Sequence, residues 1–183
     1  MVKTKKLVTI SLLVALGLVL HLVERLLPIP QLAPGVKLGL ANIVTLFSIY
    51  TLPLPDTILV VLLRTLLSSL LGGGVSSMLF SLAGGFSALA VMWITSRARN
   101  WFSLPAVSVL GALAHNIGQL FVASIIVGNF AFYSYLPVLI ASGAVTGVFV
   151  GLVTRLLLDS WKRTGLAAAA NYDSAAHKLQ GSK

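Results

Sequence analysis

Cysteine is absent from the 183-residue chain, which excludes disulfides, thiolate metal ligands and a cysteine nucleophile. Acidic residues are nearly absent: the sequence contains Glu24, Asp56, Asp159 and Asp173, and no two of them are neighbours. Enzymes that hold diphosphates through metal ions need clustered carboxylates, and the glycine run 72–74 lacks the following lysine of a phosphate-binding loop. We therefore expect neither an enzyme nor a metal site nor a bound cofactor.

Charged residues of either sign make up 9% of the sequence, whereas hydrophobic residues make up 57% and the mean hydropathy is +0.99. A soluble domain of this size would expose too much apolar surface to water. Apolar runs of about 20 residues cross a hydrocarbon layer roughly 30 Å thick, and several such runs follow one another here. The composition predicts an integral membrane protein in a lipid bilayer. The net charge of +9 comes without a basic stripe interleaved with aromatic residues, so nucleic-acid binding is not expected.

Polar residues, prolines and glycines divide the apolar sequence into six candidate transmembrane helices, which predicts an all-α bundle. The first run follows lysines, as in a secretory signal peptide, but it is long enough to span and lacks a small-x-small cleavage site. We interpret it as a retained helix. A count of five or seven helices is the alternative. The six helices are predicted at about residues 7–27, 38–54, 57–71, 75–95, 105–128 and 135–158.

Lysine and arginine are unevenly distributed between the predicted loops. If the N-terminus is cytoplasmic, the outside segments carry only Arg25 and Lys37. The inside segments then carry Lys3, Lys5, Lys6, Arg97, Arg99, Arg155, Lys162 and Arg163. This asymmetry predicts cytoplasmic N- and C-termini in a multi-pass protein of the cell membrane.

The regions outside the predicted membrane domain, residues 7–158, are short. Residues 1–6 form the cytoplasmic N-terminus, and residues 159–183 form a cytoplasmic tail that we expect to be disordered or partly vector-derived. The proline-containing outside loop, residues 28–36, is too irregular for a helix. We expect this loop to lie across the outer end of the bundle.

Strongly polar side chains within membrane helices are costly, so each is a candidate functional residue. In this sequence they are His21, Glu24, Arg25, Asn42, Arg64, His115, Asn116 and Gln119. With the predicted orientation they lie at mid-depth or toward the outside. A polar cluster in the outer half of a bundle favours a cavity that receives a solute from outside over a continuous pore.

Two of these candidates lie four residues apart, because His115 and Gln119 share one helix face with Asn116 beside them. The alternative is that these side chains only form hydrogen bonds between helices. Arg64 also has two interpretations, which can hold in turn: Glu24 neutralises its guanidinium, or the guanidinium receives an anionic group of a solute.

Small residues follow four-residue spacing on two predicted helices. Ser11 and Ala15 do so on the first helix, and Gly143, Gly147 and Gly151 do so on the sixth. Such faces let helices approach closely. They indicate packing within the bundle or docking of another membrane subunit.

Three segments resemble a known family: residues 34–43 (PGVKLGLANI), 64–67 (RTLL) and 111–119 (GALAHNIGQ). Together they resemble the Gx transporter family, also named heptaprenyl diphosphate synthase component I, over about residues 8–158. That family is similar in architecture to the substrate-binding S components of energy-coupling factor (ECF) transporters. The resemblance implies six helices, a cytoplasmic N-terminus and a ligand beneath the first outer loop. It also implies a coupling subunit docked at Ser11 and Ala15, together with ATPase subunits.

The leading hypothesis from the sequence is an S-component-like subunit that takes up a small anionic solute. Its predicted binding residues are Asn42, Arg64, His115, Asn116 and Gln119, with Lys37 and Glu24 at the mouth of the site. One alternative is a non-transporting scaffold or accessory subunit for a prenyl diphosphate synthase or quinone pathway. The other is a stand-alone secondary carrier in which His115 shuttles protons.

Overall fold

A computed structural model describes residues 2–26, 39–71, 74–98 and 100–163. The described residues form six α-helices, with a short 3-10 helix, Phe130–Tyr135, before the last of them. The α-helices are α1 (Val2–Leu26), α2 (Asn42–Thr51), α3 (Leu54–Leu70), α4 (Gly74–Arg97), α5 (Leu104–Val127) and α6 (Leu136–Arg163).

Four of these helical segments are long and apolar enough to cross a membrane. They are Thr4–Glu24, Gly74–Arg97, Leu104–Val127 and Phe130–Arg163. At about 1.5 Å per residue, the ten residues of α2 extend roughly 15 Å, half of a hydrocarbon layer. The described residues are therefore all-helical and include four candidate membrane spans. The helix α2 is shorter than the span predicted over residues 38–54.

The backbone on each side of α2 explains its length. Gly39 has a φ of +76°, which favours glycine, and the backbone N–H of Asn42 donates to the Gly39 carbonyl at 2.8 Å. At the other end, Leu52 and Pro53 are extended, and α3 begins directly after them. A turn at one end and a proline at the other limit α2 to the residues between them.

Contacts between helix ends place both described chain ends on the same side of the bundle. Lys6 Nζ of α1 lies 2.8 Å from Asp56 Oδ1 at the start of α3. Near the end of α6, the ring of Trp161 packs edge-on against Phe47 of α2, with ring centroids 5.8 Å apart. We call this side the terminal end of the bundle. The residues from Gly39 to Asn42 lie at the opposite end.

Glycines bring α6 into close contact with α5. A Cβ built on Gly147 would lie 2.6 Å from Val109 Cα, and one on Gly151 would lie 2.6 Å from Pro105 Cα. Both distances are too short for any side chain. The glycine face of α6 therefore packs within the bundle. By contrast, Ser11 and Ala15 of α1 are exposed on the surface of the chain.

Several predicted features lie outside the described residues. They are the outside loop 28–36, Lys37 and the tail from residue 164 onward.

Candidate functional site

A polar cavity lies between the helices, toward the end of the bundle that is opposite the terminal end. Its volume is about 30 Å³, enough for at least one water molecule and far below the roughly 300–1,000 Å³ of pockets for drug-sized ligands. In this conformation it accommodates a water-sized group, so a larger solute requires the helices to separate. The cavity is lined by His21, Glu24, Gly39, Ala41, Asn42, Arg64, Thr65, Ser68, Ser81, His115 and Gln119.

Among the described residues that line the cavity, Glu24 and Arg64 have charged side chains. Arg64 projects from the middle of α3 and is 7% exposed, and its Nη2 donates a hydrogen bond to Thr45 Oγ1 at 2.9 Å. Its Nε is buried and has no hydrogen-bond partner among the described residues. The side chain fits because Gly17 lies beside it: a Cβ there would be 3.1 Å from Arg64 Cδ.

Glu24, near the end of α1, connects the cavity to the start of the second described segment. Its Oε1 accepts a hydrogen bond from the Gly39 backbone N–H at 2.7 Å. Its negative charge also acts on the buried Arg64 guanidinium. Glu24 and Arg64 therefore lie at the same cavity, the arrangement that the first interpretation of Arg64 requires.

The fifth helix brings His115 and Gln119 to the cavity on one face, as their four-residue spacing predicts. Their position depends on Gly84 of α4. A Cβ on Gly84 would lie 2.5 Å from Gln119 Cγ and 2.9 Å from His115 Cε1. Gln119 Nε2 is buried without a hydrogen-bond partner within the described ranges.

Asn42 is the first residue of α2 and is 2% exposed. Its Oδ1 has no hydrogen-bond partner in the described part of the chain. The position depends on Gly39, because a Cβ there would lie 2.9 Å from Asn42 Nδ2. The turn that begins α2 therefore also places an amide in the cavity.

The cavity does not contain all of the predicted binding residues. Asn116 is absent from its lining, and its Nδ2 instead donates to the Leu139 carbonyl of α6 at 2.9 Å. One residue beyond His115, its side chain faces α6 and serves helix packing. Lys37 lies outside the described residues.

The sequence did not indicate several of the lining residues. Three hydroxyl-bearing residues, Thr65, Ser68 and Ser81, also line the cavity. The Thr65 and Ser68 hydroxyls donate to carbonyls one turn earlier in α3, those of Val61 at 2.7 Å and Thr65 at 2.9 Å, and keep their lone pairs for other donors. Serine and threonine are common in membrane helices, so their presence in the sequence carries little signal.

The apolar helices and the polar cavity together define a helical, multi-pass membrane protein with an internal polar site. The chain belongs to the family described as heptaprenyl diphosphate synthase component I, whose sequence profile matches residues 13–157. This confirms the family resemblance seen in the sequence motifs. Neither curated proteins nor solved structures show a significant match to the chain.

Proposed function

We propose that this protein is the substrate-binding subunit of a membrane uptake system, similar in role to the S components of ECF transporters. The observation that carries the proposal is the cavity that Glu24, Asn42, Arg64, His115 and Gln119 line between apolar helices. Polar and charged side chains are retained in membrane helices where they bind solutes, ions or each other. The protein would act by binding and releasing a solute, without enzymatic chemistry of its own.

The proposed orientation places the cavity toward the outside of the cell membrane. The N- and C-terminal ends of the described chain lie together, far from the cavity. Basic residues at this terminal end include Lys5, Lys6, Lys162 and Arg163, and basic residues favour the cytoplasmic side. In this arrangement the shorter helices α2 and α3 complete a six-helix bundle.

Energy for uptake would come from partner subunits. The exposed small residues Ser11 and Ala15 of α1 offer a surface on which a coupling subunit could pack closely. ATPase subunits would drive reorientation of the loaded complex.

The decisive experiment identifies what the cavity holds. The native protein is purified in a mild detergent, and mass spectrometry measures the small molecules that co-purify with it. We expect Arg64→Ala and His115→Ala to lose a solute that the native protein retains. Arg97→Ala is the matched control, because Arg97 stacks on Trp93 at 3.9 Å at the end of α4, outside the cavity. Retention of every solute by both cavity variants would contradict the proposal.

The family description favours a second candidate function, a membrane scaffold for a soluble prenyl diphosphate synthase. The four acidic residues are dispersed in the sequence, so the synthase activity would reside in the partner. Affinity purification from the native membrane separates the two candidates. Recovery of a coupling subunit and ATPases supports uptake, and recovery of a soluble synthase alone supports the scaffold.

A further inference from the structure

Three buried polar atoms around the cavity have no hydrogen-bond partner among the described residues: Arg64 Nε, Gln119 Nε2 and Asn42 Oδ1. Their side chains come from three helices, and each is at least nine-tenths buried. Unpaired polar atoms in an apolar bundle are energetically costly. Because all three residues line one cavity, a polar molecule that enters between the helices can satisfy them.

The chemical types of these atoms restrict that molecule. Arg64 Nε and Gln119 Nε2 are donors, so the molecule must present acceptors to both. Asn42 Oδ1 is an acceptor, so the molecule must also present a donor. A carbonyl adjacent to an N–H group provides both in one plane, as in amides, ureides and lactams.

The charges in the cavity restrict the molecule further. Glu24 and Arg64 contribute opposite charges, and His21 and His115 contribute imidazole rings. No other titratable side chain lines the described cavity. An anionic solute would therefore leave one uncompensated negative charge inside the bundle, at a high desolvation cost. An uncharged solute keeps the charges balanced.

Building on the proposed function, we propose that the solute is uncharged and binds through an amide, ureide or lactam group. Its carbonyl accepts from Arg64 and Gln119, and its N–H donates to Asn42. Glu24 then has two roles: it holds Gly39, and it cancels the charge of Arg64 so that anions are not preferred. This inference departs from the anionic solute expected from Arg64 and Lys37 alone.

Calorimetry on the full-length protein in lipid nanodiscs tests the charge of the solute. Uracil and orotate form a matched pair, because they share a ring with carbonyl and N–H groups and orotate adds a carboxylate. We expect uracil, 2-imidazolidinone or 2-pyrrolidone to bind to the native protein. Glycerol, inorganic phosphate and orotate should bind at least about tenfold more weakly. Preferential binding of orotate, phosphate or glycerol would overturn the inference.

The variant Glu24→Gln tests the role of the balancing charge. Glutamine keeps an oxygen that can accept from Gly39 and removes the negative charge, so the cavity becomes positive. We expect orotate affinity to increase at least about tenfold and uracil affinity to change less. The double variant Glu24→Gln/Arg64→Gln restores neutrality and should lose the orotate binding. If Glu24→Gln leaves the preference between uracil and orotate unchanged in correctly folded protein, Glu24 does not set the charge selectivity and the inference is wrong.

Failure of this inference is distinguishable from failure of the proposed function. If a solute co-purifies with the native protein and is lost from Arg64→Ala, but it is an anion, the uptake proposal stands and the neutral solute is excluded. If neither cavity variant loses a solute, the uptake proposal fails as well. If Glu24→Gln does not fold, the comparison of uracil with orotate on the native protein remains decisive.

Discussion

The adjacent glycines 84 and 85 of α4 allow a matched test of how the cavity is positioned. Both lie in the interior of the same helix and both are buried. A Cβ on Gly84 would lie 2.5 Å from Gln119 Cγ, whereas the nearest atom to a Cβ on Gly85 is Val61 Cγ1 at 3.4 Å, an ordinary contact. Gly84→Ala and Gly85→Ala therefore add the same methyl group, which overlaps Gln119 at position 84 and fits without a clash at position 85.

The expected magnitude follows from these distances. In Gly84→Ala the new methyl group would be about 0.9 Å closer to Gln119 than ordinary contact permits, so the Gln119 side chain must move by about 1 Å. A hydrogen bond of about 2.9 Å would then exceed bonding distance. Loss of that bond costs about 1–3 kcal/mol, which corresponds to a roughly 5- to 150-fold increase in the dissociation constant of the solute.

We also expect Gly84→Ala to have a lower free energy of unfolding than Gly85→Ala. Overpacking at Gly84 costs about 1–3 kcal/mol, and replacing a helical glycine by alanine returns up to about 1 kcal/mol. Gly85→Ala receives the same helix gain with little steric cost, so it should melt at or above the native temperature. Thermal melting in detergent and calorimetric titration with the bound solute measure both effects. If Gly84→Ala binds as well as Gly85→Ala, Gly84 does not position Gln119 and the cavity geometry is wrong.

Two further comparisons test the site and the orientation. Asn116→Ala should lower the melting temperature by removing the hydrogen bond to the Leu139 carbonyl, at a cost of about 1–2 kcal/mol, and leave solute affinity unchanged; Asn42→Ala should mainly weaken binding. Equal effects of the two variants on affinity would contradict the separate roles. Because the chain contains no cysteine, single-cysteine variants report the orientation. Asn129→Cys should react with a membrane-impermeant maleimide on intact cells, whereas Ser103→Cys should react only after permeabilisation. The reverse pattern would contradict the proposed orientation.

The features predicted from the sequence are those that depend on short distances along the chain. The four-residue spacing of His115 and Gln119 places both on one side of a helix whatever that helix packs against, and both line the cavity. Asn116 directly follows His115 but lies about 100° around the helix from it, and its side chain donates a hydrogen bond to the Leu139 carbonyl of α6. The sequence analysis grouped Asn116 with His115 and Gln119 because it is adjacent to His115, whereas the helix directs its side chain toward α6.

The length of α2 is a feature that the sequence did not predict correctly. Hydropathy continues across residues 38–54, so a pattern based on apolar residues does not detect where the helix begins. The positive φ of Gly39 and the extended backbone at Pro53 set the ends. Proline is recognisable as a boundary in sequence, but glycine adopts helical and left-handed conformations with similar ease, so its conformation here depended on the surrounding helices.

The amino-acid sequence by itself determined that this chain belongs in a membrane, because apolar composition and run length depend on no neighbour. It also determined which polar side chains were available for a site and which family the chain belongs to. Only the tertiary structure decided which of them meet. Arg64, Gln119 and Asn42 converge because glycines 17, 84 and 39 leave space for them, and such contacts between distant segments depend on how the helices pack.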